Sequence, residues 1–199
     1  METDSKTTPN SGTVSYPEKA DSSSQRVSNH VPITKNRKLL SVSVAESITA
    51  GALSNTLCEE PGASEYFYGG MVCYSISSKN KLLGIDTEYA ESANFANPFT
   101  SLEMAKAIAN RFDSRIGIST TGYSLPKERQ ADNEKKYCKL DVKVPYAFIC
   151  LYDRETDFHR IVYIEHEKYD KDSDQRIEKA RMQSMVALRG KQIYLEYCT

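Results

Sequence analysis

Residues 38–60, KLLSVSVAE running into SITAGALSNTLCEE, decide the architecture. Val42 and Val44 alternate with small side chains and read as a strand, whereas Ala52, Leu53, Thr56 and Leu57 share one face of a helix spanning 49–60. The strand is therefore expected to turn directly into a helix at Ser47, the junction typical of a sheet layered with helices. Pro61 and Gly62 break that helix, and YFYGGMVCY at 66–74 supplies a second strand. A helix over 77–83 follows, stopped by Gly84. Ser101 reads as the N-cap of a helix over 102–112, with Met104, Ala105, Ile108 and Phe112 facing the core, and RIGIST at 115–120 forms a strand ended by Gly122. Two apolar runs, 144–152 and 158–165, separated by five turn-prone residues, predict a β-hairpin. Ile177, Ala180, Met185 or Val186, Leu188 and Ile193 recur at near-helical intervals and predict a closing helix over 173–197, broken around Gly190. The order of elements predicts a three-layer α/β/α sandwich with a mixed β-sheet.

The flanks of this pattern differ in texture. Residues 1–35 hold seven Ser, five Thr and three Pro with only isolated apolar side chains. They offer too little apolar area to offset ordering entropy, so a disordered tail (1–35) ahead of one domain (36–199) is expected. KERQADNEKKYCKLD at 127–141 reads as a long exposed loop. With 26 basic against 27 acidic residues and a net charge of −1, the chain has no field to gather nucleic acid or an anionic membrane. No apolar run is long enough to span a membrane and the amino terminus lacks a secretory core, so a cytoplasmic protein is expected. Five cysteines (58, 73, 138, 150, 198) without a CxxC pair, and three histidines out of ligand spacing with them, argue against a disulfide framework and against a metal site.

In open α/β sheets ligands bind beyond the carboxyl ends of the strands. Glu46-Ser47, Tyr74-Ser75 and Thr121-Gly122 all fall at such ends. If the first two strands are parallel neighbours, Ser47 and Tyr74 stand about 4.8 Å apart in strand spacing at one edge. Lys79, a little over one turn into the next helix, is able to turn its ammonium back toward them. A serine hydroxyl needs a base to become a nucleophile, and a phenol serves as one at neutral pH when a cation lowers its pKa. Ser47 as nucleophile, Tyr74 as base and Lys79 as the stabilising cation would meet that need, with helix amides after Ser47 as oxyanion donors. The same residues also fit plain structural roles: Ser47 and Thr49 as caps, Tyr74 as a strand aromatic and Lys79 as a solvating charge.

AESITAG (45–51), PGAS (61–64), GGMVCYS (69–75), KNKLLGI (79–85) and TTGYSLP (120–126) occur in an order that resembles the CinA C-terminal domain family, the nicotinamide-nucleotide amidases. The resemblance implies a three-layer domain, often self-associating as a homo-oligomer. It implies hydrolysis of the carboxamide of nicotinamide mononucleotide to nicotinate mononucleotide and ammonia, with no cofactor. The family's catalytic serine, tyrosine and lysine fall on Ser47, Tyr74 and Lys79. The resemblance further implies Glu46, Thr49, Gly51, Thr121, Gly122 and Arg176 as substrate-binding residues. Ile48 stands where the family has Cys and Ala50 where it has Gly, while Leu125, Lys127 and Glu128 occupy glycine positions of its loop. Side chains there obstruct close approach of backbone to a ligand. Two readings follow: an amidase acting on a small nucleotide, or a catalytically altered or inactive relative serving as a nucleotide- or partner-binding module.

Overall fold

A computed structural model of the chain describes residues 38–86, 88, 95–127 and 142–199. The expected tail over 1–35 and nearly all of the expected loop over 127–141 lie outside the described residues. Five strands, β1 (Val42–Glu46), β2 (Phe67–Val72), β3 (Ile116–Tyr123), β4 (Tyr146–Asp153) and β5 (Phe158–Glu165), form one sheet in the order β2-β1-β3-β4-β5. The pairings of β1 with β2 and β3 are parallel, while β3-β4 and β4-β5 are antiparallel. The sheet is mixed, as the hairpin pattern implied.

Side-chain alternation assigns the two faces. Val42, Val44, Ile116, Ile118, Ile149 and Leu151 point to one side, where α1 (Ala52–Cys58) and α4 (Gln175–Tyr197) bury Leu53, Leu57, Met182 and Val186 against them. Each such side chain contributes about 1.5–3 kcal/mol through removal from water. On the other face Ala45 and Cys150 meet α2 (Ile76–Leu83) and α3 (Pro98–Phe112) through Leu83, Met104, Ala105, Ile108 and Ala109. Small sheet residues let α3 lie very close: a Cβ at Gly117 would overlap the carbonyl of Ala105.

Four boundaries depart from the sequence pattern, each for a local reason. Helix α3 begins at Pro98, capped by Asn97, whose side chain accepts from Thr100 N-H at 2.8 Å. Ser101 is instead a buried residue inside the helix, its hydroxyl donating to the Pro98 carbonyl. Strand β3 continues through Gly122 to Tyr123, because β4 pairs with it residue for residue to Tyr146. Helix α4 runs unbroken through Gly190, where the missing side chain admits Leu53 of α1. Its buried stripe is Glu178, Met182, Val186, Gly190, Ile193 and Tyr194, leaving Ile177, Ala180 and Leu188 exposed. Finally, α1 starts at Ala52 rather than at Thr49, after Ala50 and Gly51 adopt φ of 50° and 103°. Ala50 thus holds a left-handed conformation that glycine accepts freely and that costs an ordinary residue about 1 kcal/mol.

Candidate functional site

The parallel registers end Glu46 beside Val72 and Thr120, so the turns leaving β1 and β2 and the last residues of β3 open on one edge of the sheet. A cavity of about 820 Å³ lies there, and Ser47, Tyr74, Lys79, Thr121 and Gly122 all line it. Five residues expected at the site from sequence are therefore gathered around one space. Ser47 is fixed by its N-H, which donates to the Thr120 carbonyl at 2.9 Å. Lys79 lies in α2, whose N-cap Ser75 accepts from Ser78 N-H, and its ammonium reaches back over the strand end.

Lys79 Nζ donates to Ser47 Oγ at 2.8 Å and to the main-chain carbonyl of Tyr74 at 3.2 Å. The side chain is 4% exposed. Burial pushes its pKa down to about 8 from 10.5, since a charge out of water is disfavoured, with the neighbouring Cys73 pulling weakly the other way. A lysine with that pKa is neutral in roughly one molecule in ten at pH 7, which suits it to remove a proton. The sequence reading paired Lys79 with the Tyr74 phenol; in the structure its hydrogen bonds go to Ser47 Oγ and to the Tyr74 main chain. The contact to Tyr74 is to its carbonyl, and the Tyr74 ring is 57% exposed, with Lys179 Nζ 5.8 Å from its centroid.

Glu46, Thr49, Gly51 and Arg176 stand apart from the cavity. Glu46 is fully buried, and its carboxylate accepts from the N-H groups of Gly51, Leu53 and Ser54 at 2.9, 3.0 and 2.8 Å and from the Ser54 hydroxyl. It fills the positive end of α1 with the chain's own anion, as a cap does, and it is not among the residues lining the cavity. The same bonds occupy the amides that were expected to serve as oxyanion donors. The Glu46→Gln variant, which turns an amide NH₂ toward those donors, is expected to lose about 2 kcal/mol of stability in urea titrations. Thr49 is buried, its hydroxyl 2.6 Å from that of Thr120, and Gly51 shapes the turn. Arg176 is exposed and paired with Asp174 at 3.3 Å. Among the described residues no group of three or more His, Cys, Asp or Glu side chains gathers as a metal site.

The structure adds two residues that sequence reading passed over. Lys179 lines the cavity, and Gln183, one turn further along α4, donates to the Ile48 carbonyl at 3.0 Å and braces the turn that carries Ser47. Their i,i+4 spacing was the available signal, but polar residues on a helix read as its solvent face.

A family model described as the CinA C-terminal domain matches residues 11–137. A Clostridium perfringens protein whose name describes it as competence-damage inducible is 45% identical over 114 residues, 57% of this chain and 26% of that protein. A CinA-like protein of Synechocystis is 40% identical over 85 residues, 43% of this chain and 20% of the relative. The chain thus matches about a quarter of the length of such relatives. A solved CinA superfamily protein from Enterobacter cloacae superposes with a TM-score of 0.62 at 19% identity, covering 80% of this chain and 83% of the other. The competence/damage inducible protein CihA of Agrobacterium tumefaciens gives 0.55 at 25% identity, covering 79% and 86%. The likeness in fold covers about four-fifths of the chain, and the family match spans the strand ends that frame the cavity. On that combined ground the chain belongs to the CinA C-terminal domain family.

Proposed function

We propose that this domain hydrolyses the carboxamide of nicotinamide mononucleotide, releasing nicotinate mononucleotide and ammonia. The observation that carries the reading is the 2.8 Å bond between Lys79 Nζ and Ser47 Oγ at the wall of the cavity. Neutral Lys79 takes the Ser47 proton as Oγ attacks the amide carbon, forming a tetrahedral anion. The ammonium then gives that proton to the departing nitrogen, the C-N bond breaks, and an ester to Ser47 remains. Water attacks the ester, Lys79 accepts its proton and returns one to Ser47 Oγ, and the acid leaves. With the α1 amides held by Glu46, the Ile48 N-H, next to the nucleophile on a residue lining the cavity, is a main-chain candidate for the anion. The Tyr74 ring at the mouth offers a face for the pyridine.

Leu125 and Pro126 line the cavity where the family resemblance has a glycine loop, which favours a second reading as a nucleotide-binding relative without turnover. Incubating the full chain with nicotinamide mononucleotide and measuring ammonia separates the two. Steady release that disappears in Ser47→Ala supports the amidase, and binding without release supports the module.

A further inference from the structure

Ser47 sits at the head of a strained turn. Between β1 and α1 the chain passes through Ala50 at φ 50° and Gly51 at φ 103°, and a non-glycine residue in that left-handed region persists only where its surroundings hold it. Two bonds to the main chain clamp the segment that carries the nucleophile. On one side the Ser47 N-H donates to the Thr120 carbonyl of β3 at 2.9 Å. On the other, Gln183 Nε2 of α4 donates to the Ile48 carbonyl at 3.0 Å, a contact between residues 135 positions apart. A carbonyl only accepts, so the Gln183 amide must turn its NH₂ toward this bond. The Ser47-Ile48 peptide lies between the two anchors. With both in place, one torsion, χ1, remains to bring Ser47 Oγ to its 2.8 Å contact with Lys79 Nζ. Lys79 is located from elsewhere, by its place in α2 and by the Tyr74 carbonyl at 3.2 Å. Gln183 therefore bears on one partner of the pair and not on the other.

We propose that Gln183 is a positioning residue for Ser47: by holding the Ile48 carbonyl it fixes the backbone from which Oγ is aimed at Lys79 Nζ. The inference rests on reading Ser47 and Lys79 as the reacting pair. Without the amide, the carbonyl of buried Ile48 loses this donor, the strained turn relaxes, and Oγ leaves its short contact with the ammonium. Proton transfer needs hydrogen-bond reach, so a small displacement slows the chemical step. The substrate meets other residues, since Gln183 is not among those lining the cavity. Its loss falls on kcat and spares KM.

Two variants of the full chain test this. Gln183→Met keeps the length of the side chain and removes the donor, whereas Gln183→Glu keeps its shape and turns an acceptor toward the carbonyl. Each is expected to lower kcat for nicotinamide mononucleotide about tenfold or more with KM within about twofold. The midpoint of the pH-rate profile stays at about 8, because Lys79 is held independently, and the unfolding midpoint drops by only a few degrees. A second readout needs no natural substrate: labelling of Ser47 by a fluorophosphonate, in which Oγ bonds to phosphorus, fluoride leaves and Lys79 takes the proton. It slows by the same factor in both variants. Unchanged kcat and labelling in the folded variants, a loss confined to KM, or a loss equal to the unfolded fraction overturns the positioning role. So does a wild-type chain that neither releases ammonia nor labels. Labelling that depends on Gln183 with no ammonia released leaves the positioning role standing and sinks the amidase reading; ammonia release at full rate in both variants does the reverse.

Discussion

Ser47→Ala is expected to lower the rate of nicotinamide mononucleotide deamidation by at least about 10³-fold, because no other group at the strand end replaces the attacking oxygen. The midpoint of thermal unfolding stays within a few degrees, since the turn is held by Glu46, Thr49 and Gln183 and not by the Ser47 side chain. Lys79→Met gives a loss of similar size, and the double variant is no slower than either single one, as befits two groups acting as a unit. Wild-type kcat/KM rises with pH and levels off above a midpoint of about 8, following the neutral form of Lys79. Tyr74→Phe separates the lysine base from a phenolate base. Phenylalanine keeps the carbonyl that Lys79 contacts, so its loss is less than about tenfold. A folded Ser47→Ala variant with a tenth or more of the wild-type rate removes Ser47 from the mechanism. A 10³-fold loss in Tyr74→Phe restores the phenol.

The second large effect is on stability against pH. Lys79 titrates at about 8 when folded and near 10.5 when unfolded. Between those values the unfolded chain binds more protons than the folded one, so the contribution of this residue to stability rises with pH and is complete above 10.5. The difference of about 2.5 units corresponds to about 3 kcal/mol. Lys79→Met has no such dependence. Its stability advantage over the wild type is expected to be largest below pH 8 and to shrink by about 3 kcal/mol between pH 7 and 10.5, read from urea midpoints of the two proteins at each pH. A constant difference across that range would show that the folded chain holds Lys79 as an ordinary ammonium.

The layered fold was legible because it rests on apolar periodicity: Val42 and Val44 on β1, Leu53 and Leu57 on α1, and two apolar runs around a turn for the hairpin. Boundaries were less so where two polar residues competed. Ser101 and Asn97 are both good caps, and only the packing of Ser101 under β3, where its carbonyl accepts from Ser119, decides for Asn97. The closing helix was misphased because its buried stripe includes Glu178 and Gly190. At the site, spacing brought Ser47, Tyr74 and Lys79 to one strand edge, yet spacing cannot say which atom of Tyr74 meets the ammonium. Nor does it show that Glu46, a carboxylate beside a nucleophile, is spent on capping α1.

That internal cap has an evolutionary corollary. The shape of the turn after β1 is secured by a carboxylate, a threonine pair and a glutamine, none of which lines the cavity or touches a reacting atom. On the proposed mechanism, selection on folding and selection on chemistry act on different side chains, save at Gln183. Lineages released from the second pressure can exchange Ser47 or Lys79 and still inherit the same hollow. Descendants that keep the Glu46 cap after losing the hydroxyl-ammonium pair would be pseudoenzymes with an intact receptor, free to be recruited as sensors of whatever the hollow still admits.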